Sequence, residues 1–269
     1  MFKKIFNNIV MNKPLVHCIT NYVTVNDCAN IILACGGSPI MADEIEEVKE
    51  ITSICSSNLI NIGTLNKRTI ESMFIASKRA NELKHPIVLD PVGCGASILR
   101  NNITFKLLED IKFSVIKGNI SEIKMINSRV GSTSGVDANE DDLSNSIEDR
   151  ICIAKDLAKK TGSIVVISGS SDIIANDSNA YIVKNGSSKM SDVSGTGCML
   201  GSIIAVYLGA NKEEDYLEAV AAAVAMYGYC GELASLNAKG NASFKINLID
   251  EVSKMNNDKL KGGIKIEYK

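Results

Sequence analysis

Short β-branched apolar runs alternate along this chain with longer stretches of helical periodicity. The runs Leu15–Ile19, Ser38–Ile40, 59–62, Ile87–Asp90, 114–117, Ile164–Ser168 and Ala180–Val183 predict strands. Several are continuously apolar instead of alternating, which suits parallel strands covered on both faces. Between them, 25–35, 66–83, 104–109, 121–128, 146–161 and 198–209 carry helical spacing. Alternation of this kind predicts a doubly wound α/β layer sandwich with a mostly parallel sheet. The C-terminal third turns helix-dominated. Its stretch 213–236 includes the small-residue run 219–225, Ala-Val-Ala-Ala-Ala-Val-Ala, which allows close packing in a core or between subunits. The polar, acidic stretch 131–145 reads as a loop, and no repeat divides the chain, so residues 1–269 are expected to form one domain.

Composition narrows the function classes. With 31 acidic and 29 basic residues the net charge is −2, and no basic stripe offers itself to a nucleic acid backbone. No stretch reads as the roughly 20 apolar residues that span a bilayer, and the first twelve residues lack the apolar core of a signal peptide. A cytoplasmic, membrane-free protein is expected. The eight cysteines, at 18, 28, 35, 55, 94, 152, 198 and 230, form no Cys-x-x-Cys pair, and only His17 and His85 could join them on a metal. Structural zinc and a disulfide framework are therefore not expected, and most of these thiols should be small buried hydrophobes.

Candidate chemistry gathers at strand ends and at one glycine turn. Ser194-Gly195-Thr196-Gly197-Cys198-Met199-Leu200-Gly201 runs straight into an apolar helix. Glycine permits close backbone approach, and the first amides of a helix are unpaired donors beside a positive dipole end, so the segment is a potential phosphate cradle. Cys198 places a thiol in that helix's first turn. Asp90 closes an apolar strand and is followed by Pro91-Val92-Gly93, the position where ligands bind in open α/β sheets; it could equally cap the following turn. Lys117-Gly118-Asn119-Ile120-Ser121-Glu122 ends another strand. Asn119 and Glu122 have the spacing of a capping box, and alternatively Glu122 could join Asp90 around magnesium with Lys117 at a polyphosphate. Ser168 opens a Gly-Ser-Ser-Asp172 turn suited either to a nucleotide or to ordinary turn bonding. His17 and Cys18 face opposite sides of their strand and cannot pair, which leaves a His17–Cys198 pair open. Asn21 starts the next loop, and Met41 follows the strand Ser38–Ile40. There is no Walker A motif, and Gly195-x-Gly197 falls short of the dinucleotide fingerprint.

Taken together, His17-Cys-Ile-Thr-Asn21, Pro39-Ile-Met-Ala-Asp43, Asp90-Pro-Val-Gly93, Lys117-Gly-Asn-Ile-Ser-Glu122 and Gly195-Thr-Gly-Cys198-Met-Leu-Gly resemble the hydroxyethylthiazole kinase family of the ribokinase-like superfamily. The resemblance spans about residues 13–250. It implies a ribokinase-like three-layer α/β/α sandwich with a mostly parallel central sheet. It also implies ATP- and Mg2+-dependent phosphorylation of 4-methyl-5-(2-hydroxyethyl)thiazole in thiamine salvage. By the same resemblance Cys198 is catalytic, Met41, Gly195 and Asn21 bind the thiazole, Lys117 and Ser168 bind ATP, and Asp90 and Glu122 serve the metal. A homotrimer with active sites between subunits is implied as well. Lys117 stands where the family often has arginine, and Ser168 where it often has threonine; lysine keeps the charge but loses the bidentate fork on phosphate. A kinase for another small alcohol, or a non-catalytic nucleotide or thiazole binder, would share much of this pattern, but binding alone needs no pair of carboxylates.

Overall fold

A computed structural model describes residues 2–130 and 146–269; the loop expected at 131–145 lies outside the described residues. One nine-stranded sheet organises the chain. Its strands are β1 (Leu15–Ile19), β2 (Ser38–Ile40), β3 (Ser57–Asn61), β4 (Ile87–Asp90), β5 (Val115–Asn119), β6 (Ile164–Ser168), β7 (Asp172–Ala175), β8 (Ala180–Val183) and β9 (Ile266–Tyr268). They lie in the order β2-β1-β3-β4-β5-β6-β7-β8-β9, parallel from β2 through β6 and antiparallel from there to β9.

The continuously apolar runs serve two faces at once, because successive residues on a strand point to opposite sides. Val16, Leu59, Val88, Val115 and Val166 join one buried cluster, while Ile19, Ile60, Leu89, Ile116 and Val165 join the other. The first cluster is covered by α1 (Lys3–Asn12), α2 (Val25–Ala34), α8 (Thr196–Ala210), α9 (Tyr216–Asn237) and α10 (Asn241–Ser253). The second is covered by α3 (Val48–Ile54), α4 (Lys67–Leu83), α5 (Ile98–Asp110), α6 (Ile120–Arg129) and α7 (Ile147–Thr161). This is the three-layer α/β/α sandwich that the sequence implied.

Two helices are apolar all round because they are interior. α8 is buried without a break from Met199 to Leu208, packed between the sheet and α2 and α9. The segment Glu213–Asn237 does reach membrane-spanning length and hydropathy, against the expectation above; 72% of its apolar window is buried inside the protein, so its composition is that of a core helix.

The elements absent from the sequence reading are α1, α3, β7, β9, α10 and the short α11 (Asn257–Lys261). In α1 the apolar signal is sparse, since it buries only Ile5 and Ile9, one turn apart. β9 is a three-residue edge strand paired to β8, a partner far away in sequence. The helix expected at 104–109 extends back to Ile98, where the Ser97 side chain caps it by accepting from the Arg100 amide at 3.3 Å.

Candidate active site

The parallel strands all deliver their carboxyl ends to one side of the sheet. In sheet order those ends present Met41 after β2, Asn21 after β1, Asn61 on β3, Asp90 on β4, Lys117 and Asn119 on β5, and Ser168 on β6. The first turn of α8 brings Cys198 to the same end, within reach of Asn21 and Asn61.

A buried polar network joins five of these residues. Lys117 Nζ donates to Asp90 Oδ1 at 3.1 Å, and Asn61 Nδ2 donates to Asp90 Oδ2 at 2.7 Å. Both members of the ion pair are almost wholly removed from solvent. Burial pushes the Asp90 carboxyl up from its ordinary value, against the opposing pull of the Lys117 ammonium. Burial alone would lower Lys117, but Asp90 and Glu122 outweigh it and hold the ammonium above its usual value. Among the described residues the Asp90 side chain bonds to Lys117 and Asn61 and not to the turn after β4.

Above this pair stands Cys198. Its sulfur accepts Asn21 Nδ2 at 3.2 Å and Asn61 Nδ2 at 3.3 Å. Asn21 Nδ2 also donates to Asn61 Oδ1 at 3.1 Å, and Asn21 Oδ1 accepts the Thr24 amide at 3.1 Å and the Thr24 hydroxyl at 3.0 Å. Asn21 thus has its hydrogen-bonding groups committed within the protein. Asn61 and Thr24 were absent from the sequence reading. Asn61 carries a signal in retrospect: it is an amide set between Ile60 and Ile62 at the end of an apolar run, the same pattern that singles out Asp90.

The glycine turn is shaped as a cradle. Gly195 occupies the N-cap of α8 at φ +93°, and among the described residues no side chain caps the helix. A Cβ at Gly195 would lie 2.8 Å from Thr24 Cγ2, so both conformation and space demand glycine here. At Gly197 a Cβ would lie 3.4 Å from Lys117 Nζ, which puts the buried ammonium directly beneath the uncapped amides. Helix dipole and ammonium add their positive character at one point. A cleft of about 590 Å³ opens beside it, lined by Ser168, Gly169, Asp172, Ser187, Thr196 and Gly197 among others. Burial pushes the Asp172 carboxyl in this cleft up to about 6, although the Gly169 amide donates to it at 2.9 Å. Ser168 Oγ donates to the Gly118 carbonyl at 3.3 Å. A larger cavity of about 730 Å³, lined by Phe105, Lys112, Arg129 and Lys160 among others, lies where β5 and β6 begin and contains none of the strand-end residues.

Glu122 satisfies its structural reading in full. Glu122 Oε2 accepts the Asn119 amide and the Asn119 side chain accepts the Glu122 amide, a complete capping box, while Oε1 accepts the Gly93 amide at 2.8 Å. Arg100 fixes the same turn by donating to the carbonyls of Val92, Ile62 and Gly63. Among the described residues no group of three or more His, Cys, Asp and Glu forms a metal cage. Asp90 and Glu122 nevertheless fit magnesium, which keeps much of its water and takes one or two carboxylates, because every carboxylate oxygen retains a second lone pair.

His17 is not a partner of Cys198. Its Nδ1 lies 2.9 Å from Thr52 Oγ1 and its Nε2 lies 2.9 Å from the Ala42 carbonyl, both away from the sulfur. Burial lowers its pKa, so the ring is neutral and tethers the loop that carries Met41. Met41 itself is half-buried against the core at the sheet edge, outside the hydrogen-bonded network.

Comparison with known proteins decides the family. The family model described as the hydroxyethylthiazole kinase family matches residues 6–258. The chain belongs to this family. It is 53% identical to the hydroxyethylthiazole kinase of Clostridium acetobutylicum over 99% of both chains. It is 51% identical to that of Clostridium tetani, over 94% of this chain and 93% of the relative. The structure of hydroxyethylthiazole kinase from Pyrococcus horikoshii superposes with a TM-score of 0.90 at 30% identity, covering 100% of this chain and 98% of that one. A Staphylococcus aureus pyridoxal kinase in complex with AMP-PCP and pyridoxal shares the fold at a TM-score of 0.64 and 15% identity. The hydroxyethylthiazole kinase family member described here is therefore a kinase in fold and in family.

Proposed function

We propose that this chain transfers the γ-phosphoryl group of ATP to the primary hydroxyl of 4-methyl-5-(2-hydroxyethyl)thiazole, as a step of thiamine salvage. The observation that carries the reading is the thiol of Cys198, held by two amide donors in the first turn of α8 beside the uncapped amides of the glycine turn. The thiazole hydroxyl oxygen attacks the γ-phosphorus in line as the bond to the β,γ-bridging oxygen breaks. ADP leaves with that electron pair, and the alcohol proton passes to the sulfur of Cys198 in its thiolate form, which becomes the thiol. Phosphoryl transfer asks more for positioning and charge neutralisation than for a strong base. The amides of Thr196, Gly197 and Cys198 supply the first, and Lys117 beneath them supplies the second. Ser168 lines the ATP cleft, and Met41 and Gly195 face the thiazole. Asn21, with its amide already engaged, serves by holding the sulfur. Magnesium, when bound, would be held by Asp90 and Glu122 and would offset polyphosphate charge.

The same reading includes one kinase domain, a cytoplasmic location in keeping with eight free thiols, and a homotrimer. Exposed Tyr22 and Val23, directly beside Asn21, would lie toward a neighbouring subunit's share of the site. Sedimentation equilibrium checks the assembly: a trimeric mass supports it, and a monomeric mass removes the shared site.

A steady-state assay with the thiazole alcohol, ATP and magnesium, read by the mass of the product, tests the reaction. Preference for a pyrimidine alcohol would sink the substrate assignment, and binding without turnover would favour a ligand-binding protein. Within that assay Cys198→Ala should lower kcat by roughly 10- to 100-fold without abolishing it, because the loose transition state leans little on a base. Cys198→Asp should retain more activity than Cys198→Ala, since a carboxylate accepts the same proton. A folded, ATP-binding Cys198→Ala enzyme with no turnover at all would require an obligatory or covalent role instead.

A further inference from the structure

Asn61 ends β3, is 1% exposed, and makes four side-chain hydrogen bonds. Its Nδ2 gives one hydrogen to Asp90 Oδ2 at 2.7 Å and the other to Cys198 Sγ at 3.3 Å. Its Oδ1 accepts the Gly63 amide at 2.9 Å and Asn21 Nδ2 at 3.1 Å. An amide offers two donors and two lone pairs, so the side chain is saturated. Saturation also fixes its orientation. Exchanging oxygen and nitrogen would set the carbonyl against the Asp90 carboxylate and the NH2 against the Gly63 amide hydrogen.

These facts separate Asn61 from the groups that meet substrate. It has neither free hydrogen-bonding capacity nor exposed surface, so any effect it has on the reaction passes through its partners. Two of those partners are the sulfur at the reacting end and the carboxylate paired with Lys117. Among the described residues Asn61 is the one side chain bonded to both. A buried amide network rigidifies a site when every member is satisfied, and a member removed leaves its former partners unpaired.

We infer that Asn61 is a positioning residue that holds the Cys198 sulfur and the Asp90 carboxylate in one fixed arrangement for phosphoryl transfer. The inference rests on the kinase reading above for its catalytic consequence, but the Asn61–Cys198 link is measurable without turnover.

The test uses the full-length chain with Asn61→Ala, and with Asn61→Ser as the milder variant, whose hydroxyl can still accept the Gly63 amide. Both are first checked for a cooperative unfolding transition. With the thiazole alcohol, ATP and magnesium, kcat should fall roughly 10- to 100-fold, while KM for each substrate stays within about twofold. In a cycle with Cys198→Ala, the double variant should retain at least about threefold more activity than the product of the two single losses. Losses that simply multiply, or a raised KM at unchanged kcat, would overturn the inference.

The second arm omits substrates. Iodoacetamide labelling is followed peptide by peptide, with exposed Cys152 as the internal reference. The rate at Cys198 relative to Cys152 should change by at least about threefold in Asn61→Ser, because the sulfur has lost one of its two donors. An unchanged ratio overturns the inference. Should the wild-type chain fail to phosphorylate the thiazole alcohol, the kinase reading falls, and the labelling ratio alone decides whether Asn61 holds the sulfur.

Discussion

Asp90→Asn should produce a folded but weakened protein whose turnover is lower by at least roughly 10²–10³-fold. The carboxylate accepts Lys117 on Oδ1 and Asn61 on Oδ2. Asparagine of the same shape offers a single oxygen, so one of those donors must face an NH2 group. In either orientation the neutral amide leaves the buried ammonium without the carboxylate it was paired to. Removing one partner of a buried ion pair costs about 3–5 kcal/mol. For a chain of this size that corresponds to a fall in Tm of roughly 10 °C. The double variant Asp90→Asn/Lys117→Met separates scaffold from chemistry. Replacing both charges should recover most of the Tm, since apolar substitution of a buried pair is often neutral, whereas turnover should stay low. Thermal unfolding and the steady-state assay on the three proteins decide the matter. Wild-type kcat in Asp90→Asn would reduce Asp90 to a structural residue.

Gly195→Ala should lower kcat by about 10²-fold with a smaller loss of stability. The backbone sits at φ +93°, where an L side chain costs about 1–2 kcal/mol. The added methyl would also meet Thr24 Cγ2 at 2.8 Å. Thr24 cannot easily retreat, because it is buried and both its amide and its hydroxyl are bonded to Asn21. The start of α8 must move instead, and Cys198 with its neighbouring amides moves with it. A displacement of about 1 Å at a reacting group can cost about 10²-fold. Thr24→Ser removes the opposing methyl and keeps the hydroxyl, so Gly195→Ala/Thr24→Ser should regain part of the lost activity but not the part due to φ. No recovery would mean that backbone strain alone is responsible. Wild-type activity in Gly195→Ala would show that the cradle is not built on this turn.

The candidate site was legible in the sequence wherever a polar residue coincides with the end of an apolar run. Asp90, Lys117 and Ser168 stand at such ends, and the glycine turn announces itself by composition. Asn61 escaped because the strand was read as 59–62 instead of Ser57–Asn61, which made an end residue look interior. At Glu122 the capping box is complete, and the same carboxylate also accepts the Gly93 amide. His17, read as a conceivable partner for Cys198, instead binds the loop after β2 through Ala42. That contact joins a strand to a loop two elements later, and no local spacing encodes it.

By itself, then, the sequence determined the period and the sidedness of the fold. Continuously apolar runs require a sheet covered on both faces, glycines at 195 and 197 permit close backbone approach, and polar residues closing apolar runs mark the edge where the parallel strands end. Tertiary structure alone decided which of those polar groups meet. Cys198 finds Asn21 and Asn61 across 177 and 137 residues of chain, and Lys117 finds Asp90 across 27. The physical reason is that periodicity is a one-dimensional property, fixed by side chains a few residues apart. A hydrogen bond between strand ends depends on strand order, register and the depth at which α8 docks, and these are set by packing of the whole core.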